Sequence, residues 1–165
     1  MDHPITIGTY VLYGKTGVCL VQEKTELSFG NGLYYVLCPV SDGRSSVYVP
    51  CDNPDLVAKM HPLLTREEID SLLSDADDVR MDWIDDRNER SARYRQIIGS
   101  GDRRLLIRQI CCLFRKKHEK QEMGKHLSAM DEAILQECMR LIDEEFSMVL
   151  EIPGSEVVNY ILSRL

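Results

Sequence analysis

The chain has one tryptophan and three phenylalanines, and none of its apolar runs approaches the ~20 residues that span a bilayer. No membrane partner is expected. The N-terminal MDHPITIGTY lacks a basic region followed by an apolar core, so the expected location is the cytoplasm. Low-complexity tracts are missing too, and with 44% apolar and 28% charged residues the composition is that of a folded globular protein. The cysteines, Cys19, Cys38, Cys51, Cys111, Cys112 and Cys138, form no C-x-x-C pair and sit mostly among apolar neighbours. They are expected to be buried thiols. Also missing are a G-x-S-x-G elbow, a phosphate-binding glycine loop and an H-E-x-x-H helix. The expectation is a non-enzymatic protein with no catalytic residue, metal or cofactor.

What is present is a reversal of charge. The chain totals −7, yet residues 87–127 carry twelve Lys or Arg against four Asp or Glu, while 61–86 and 128–165 are strongly acidic. A basic block between acidic ones focuses positive potential on part of the surface, as a nucleic-acid-binding protein does. The same block also fits a solvated helical face laced with local ion pairs.

From Ile5 to Pro50 short β-rich runs alternate with turn residues. The runs are Thr9 to Tyr13, Gly17 to Thr25, Leu33 to Pro39 and Ser46 to Pro50, with Gly14-Lys15-Thr16, Ser28 to Gly32 and Ser41-Asp42-Gly43-Arg44 between them. Asp42-Gly43 suits a tight hairpin. So few strands bury a core best by curling into a small barrel of the SH3 or Tudor kind, whose edges can accept a strand from another protein. Pro50 to Pro62 holds three prolines and reads as a linker.

Beyond it the hydrophobic period changes from that of strands to that of helices. Thr65-Arg66-Glu67-Glu68 fits a capping box for a helix running to about Ser74. Asp75 to Asp86 is acidic, contains Trp83 and reads as a loop or helix approach. Asp102 caps a helix with the stripe Leu106, Ile110, Leu113 and Phe114, Ser128 caps another with Leu135, Cys138, Leu141, Ile142 and Phe146, and Pro153-Gly154-Ser155 precedes a last one. A helix from about Asp86 to Ile98 is less clearly marked, because Arg87 and Arg90 share the stripe of Tyr94, Ile97 and Ile98. Gly99-Ser100-Gly101-Asp102 reads as a turn ending in a cap, and His118 and His126 as solvated histidines without a third metal ligand. Trp83 reads either as a core anchor or, beside the basic block, as an apolar wedge among phosphate-neutralising cations.

The run Gly8-Thr9-Tyr10-Val11-Leu12-Tyr13-Gly14 with Gly17, then Tyr34-Tyr35-Val36-Leu37, Val47-Tyr48-Val49-Pro50, and Trp83 ahead of Ser100-Gly101-Asp102 resembles the CarD/CdnL family of bacterial transcription regulators. Gly124-Lys125-His126-Leu127 with Asp131 and Glu144-Glu145-Phe146 is similar to that family's C-terminal half in low-GC Gram-positive bacteria. The resemblance implies an α+β protein: a Tudor-like β-barrel over 1–60 that docks on the RNA polymerase β subunit, then an all-α helical bundle over 61–165 that contacts promoter DNA. It implies that a tryptophan, here Trp83, wedges into the minor groove at the melted edge and holds the open complex with weak sequence specificity. The DNA-binding residues implied are Trp83, Arg87, Arg90, Arg93, Arg95, Arg115 and Lys116, and the polymerase-binding ones Tyr35, Leu37, Val47, Tyr48 and Val49. The chain departs from the family pattern in Asp85 and Asp86 after the tryptophan, in Tyr48 where some members have arginine, and in Gly14-Lys15-Thr16. The expected protein is a monomer, associated with the nucleoid through polymerase. Two alternatives stand beside it: an adaptor whose barrel and basic helices bind proteins without DNA, and an enzyme acting on nucleotides or phosphate esters.

Overall fold

A computed structural model describes residues 5–75 and 81–164, and the chain divides into two units between Leu64 and Thr65. The first is an antiparallel sheet of β1 (Tyr10–Tyr13), β2 (Gly17–Glu26), β3 (Leu33–Pro39), β4 (Val47–Pro50) and β5 (Met60–Pro62), in the order β4-β3-β2-β1-β5. Among the described residues its two edges are not hydrogen-bonded to each other, so the sheet is not closed, and its order leaves β4 and β5 as edge strands. Period-two alternation sends Val11, Cys19, Val21, Leu37, Val49 and Met60 into one core, with Tyr13, Tyr35 and Val47 packed at its margin.

Two turns differ in how they are built. Gly14 (φ 48°) and Gly17 (φ 97°) take left-handed values around the short 3₁₀ turn that joins β1 to β2, a conformation that glycine adopts without strain. The Asp42-Gly43 segment is not the two-residue hairpin its sequence predicts. Asp42 instead accepts from the Arg44 amide at 3.1 Å and from the Ser45 hydroxyl, and these bonds hold its carboxyl below the usual range. The stretch read as a linker is structured as well. Asn53 caps a short helix, α1 (Pro54–Val57), and β5 pairs with β1 through Val11–Pro62, Leu12–His61 and Tyr13–Met60.

The second unit is helical: α2 (Arg66–Ser74), α3 (Arg87–Ser100), α4 (Arg103–Glu122), α5 (Ala129–Leu150) and α6 (Val157–Leu162). Four of these starts follow sequence signals. Thr65 and Glu68 form the reciprocal capping box, and Asp86, Asp102 and Ser128 each accept from the backbone amide three residues on. Gly101, in the left-handed region at φ 70°, ends α3 and lets the chain re-enter α4 at once. Arg103–Glu145, Gln109–Cys138 and Lys117–Glu132 contacts climb α4 as they descend α5, so these two helices run antiparallel. Leu106, Ile110 and Leu113 on α4 and Leu135, Cys138, Leu141 and Ile142 on α5 are all buried. Among the described residues no helix is long and apolar enough to cross a membrane.

Candidate nucleic-acid and polymerase interfaces

Trp83 sits in the irregular segment that leads into α3, half-buried and flanked by cations. The Arg90 guanidinium carbon is 4.3 Å from its ring centroid and the Lys116 ammonium 5.2 Å, distances at which the ring quadrupole attracts a positive charge. Arg115 donates to the Met81 carbonyl at 3.2 Å and so fastens the start of the same segment to α4. A cleft of about 140 Å³ opens there, lined by Met81, Asp82, Trp83, Arg115, Lys116 and Glu119. The structure thus brings Trp83, Arg90, Arg115 and Lys116 together. Asp82 and Glu119 add two carboxylates, of which Glu119 pairs with Lys116 at 3.6 Å.

Arg90, which the family resemblance puts among the DNA-binding residues, is turned inward with the stripe it shares. It is only 6% exposed, and its Nε and Nη2 grip both oxygens of Asp131 at 2.9 Å each, while Nη1 donates to the carbonyls of Ile84 and Asp85. The position falls within the buried stripe of α3, with Ser91, Tyr94, Ile97 and Ile98, so the side chain is carried inward and needs a counter-charge. Burial alone would raise the Asp131 carboxyl, but hydrogen bonds from Arg90 and Ser128 outweigh it and hold the group below its usual range. Arg87, Arg93 and Arg95 are exposed on α3.

Sequence reasoning missed this pair and its counterpart, Arg103–Glu145, also forked at 2.9 Å and buried. The signal was there. Asp131 and Glu145 both stand in the apolar stripe of α5, and a carboxylate in such a stripe requires a buried cation opposite it. No disulfide joins the cysteines, and burial pushes the Cys138 thiol up to about 12. Among the described residues no group of three His, Cys, Asp or Glu could hold a metal ion.

On the sheet, the five residues expected to meet polymerase separate by face. Leu37 and Val49 are fully buried in the core, so their side chains hold the sheet together and are not available to a partner. Tyr35 and Val47 line its margin, and Lys24 lies 5.3 Å from the Tyr35 ring centroid. Tyr48 is 42% exposed on edge strand β4, with Phe29, 72% exposed, packed edge-on against it at 5.6 Å between centroids. An edge strand carrying an exposed aromatic pair offers both backbone groups and apolar area to an incoming strand. Phe29 belongs to the loop before β3, where sequence reading registered turn residues and passed over the aromatic among them.

No curated protein matches the chain. Residues 5–62, a span that takes in all five strands, match the model of the CarD-like/TRCF RID domain family, a non-catalytic RNA polymerase β-interacting type of domain, which supports a transcription-related protein interaction for this unit.

Proposed function

We propose that the protein is a non-enzymatic transcription regulator of the CarD/CdnL kind, which docks on the RNA polymerase β subunit through the sheet and on promoter DNA through the helical unit. The observation that carries this reading is the occurrence, in one chain, of a polymerase-interaction sheet and of a solitary tryptophan set among cations. Tyr48, Phe29 and the outer edge of β4 form the polymerase face, with Tyr35 and Val47 behind them. Trp83 supplies an apolar wedge to the minor groove, and Arg115, Lys116 and the exposed arginines on one flank of α3 neutralise phosphates. Arg90 leaves the set of phosphate contacts because Asp131 already neutralises it.

The mechanism needs no bond made or broken. A protein that binds the melted promoter more tightly than the closed one shifts the equilibrium toward it by the difference in affinity, about tenfold for each 1.4 kcal/mol. The test uses the full chain with two substitutions in opposite units. Trp83→Ala is expected to shorten open-complex lifetime and weaken binding to forked promoter DNA while pull-down of the β subunit is unchanged. Tyr48→Ala is expected to weaken the pull-down and leave binding of free DNA unchanged. A chain that captures β but shows no salt-sensitive shift of forked DNA would instead be an adaptor.

A further inference from the structure

We propose that Arg90 is the positioning residue for Trp83: it ties the irregular tryptophan segment to the N-terminus of α5 and fixes the direction of the indole before any DNA arrives. The functional consequence rests on reading Trp83 as the DNA wedge, whereas the tie itself stands on geometry.

Residues 81–85 form neither helix nor strand, so side-chain contacts must hold them. One guanidinium makes three kinds of contact there. Its central carbon lies over the indole, 4.3 Å from the ring centroid, its Nη1 donates to the carbonyls of Ile84 at 2.9 Å and Asp85 at 3.2 Å, and its Nε and Nη2 form the fork on Asp131. Asp131 is in turn held by Ser128, whose hydroxyl donates to its carboxylate at 2.7 Å and accepts from its amide at 3.1 Å as the cap of α5. The chain of contacts Trp83–Arg90–Asp131–Ser128 therefore ends on one of the longest rigid elements in the unit. The planar fork is specific to arginine, because a lysine ammonium cannot stack on the ring and grip two oxygens at once.

The second cation over the ring differs in kind. Lys116 is partly exposed and its partner Glu119 lies at a loose 3.6 Å, so it can exchange that carboxylate for a phosphate. Arg90 cannot, being buried against Asp131. One cation holds the indole and the other is available to what the indole meets.

Because Trp83 is the sole tryptophan, fluorescence excited at the red edge of the near-UV band, where tyrosine does not absorb, reports on it alone. The control is Arg103, whose fork on Glu145 has the same 2.9 Å geometry and similar burial but lies about four helical turns along α5 from Asp131. In full-length protein with wild-type helical circular dichroism, Arg90→Lys is expected to shift the emission maximum to the red and to increase quenching by acrylamide. Arg103→Lys is expected to leave both near wild type. Arg90→Lys should also lower affinity for forked DNA toward that of Trp83→Ala, and the double substitution should fall no further than Trp83→Ala alone. Unchanged emission and quenching in Arg90→Lys, or an equal change in Arg103→Lys, would overturn the proposal. Should Arg90→Lys fail to fold, Ser128→Ala is read the same way: a smaller change in the same direction supports the tie, and none overturns it. If Trp83→Ala binds DNA like wild type, the DNA reading falls while the fluorescence comparison still decides the role of Arg90.

Discussion

Asp143 is the carboxylate whose surroundings oppose its charge most plainly. It lies on α5 beside a cleft of about 450 Å³ lined by Phe114, Leu135 and Met139, one of its oxygens is buried without a hydrogen bond among the described residues, and burial pushes its pKa up to about 6. A folded pKa above the unfolded value of about 3.9 means that the native state binds the proton more tightly, so this group's contribution to stability declines as pH rises through about 4 to 6. Asp143→Asn should therefore gain in melting temperature over wild type progressively across that window and keep the gain above it. Melts from pH 4 to 8 check this, and a difference that is flat with pH would sink it. Asp131 has the opposite sign: its lowered pKa gives stability that is lost only as the pH falls below the ordinary carboxylate range. Both acids stand in one stretch of sequence and look alike in it. What separates them is the partner: Arg90, far away in the chain, reaches Asp131 but not Asp143.

Among the elements, α3 shows how a basic helix can be legible as basic and still mislead about its face. Asp86 predicts its start and Tyr94, Ile97 and Ile98 its packed side, but the decision between arginines inside and outside depends on what α5 offers, which no local pattern contains. At roughly 100° per residue Arg93 and Arg95 lie about 160° apart, on opposite flanks of the buried stripe. They cannot both face one groove. Arg93→Ala and Arg95→Ala should therefore have unequal effects on DNA binding, with only one reducing the slope of log K against log salt, by about 0.9 for a lost phosphate contact on duplex DNA. Equal reductions in a salt titration would show that the duplex approaches along the helix axis instead. In the sheet, β1 to β4 were legible from their β-branched and aromatic runs, but β5 was not. It has three residues, ends in Pro62 and follows other prolines, so locally it reads as a linker; it becomes a strand because β1 would otherwise present an unpaired edge. Whether the small sheet closes was not legible for a related reason, since closure depends on edge pairing that hydrophobic alternation does not encode.

Over the whole molecule, a net charge of −7 disfavours free DNA, and the basic block 87–127 has to work against acidic flanks. Several of its charges are also committed within the fold, Arg90 to Asp131, Arg103 to Glu145 and Lys117 to Glu132. Polymerase docking would offset this by holding the helical unit near the promoter at high effective concentration. The expected outcome is that the increase in open-complex lifetime caused by the protein survives to higher salt than its shift of the same DNA without polymerase. Loss of both at the same salt concentration would argue that the sheet contributes no tethering.

The two buried forks also set how the helical unit can move. Asp131 and Glu145 are spaced along α5 so that each meets its own guanidinium, one from α3 and one from the first turn of α4. A slide of α5 by a single turn would draw both carboxylates away from their guanidiniums and strand four charges at once, a penalty of several kcal/mol for each unpaired ion. Apolar seams ordinarily tolerate small slippage, but this one works like a key with two teeth. On the proposed role of Trp83, a push on it by a widening or kinking duplex would be passed through Arg90 to α5 as movement of a whole body, with no sliding of one helix over another to absorb it.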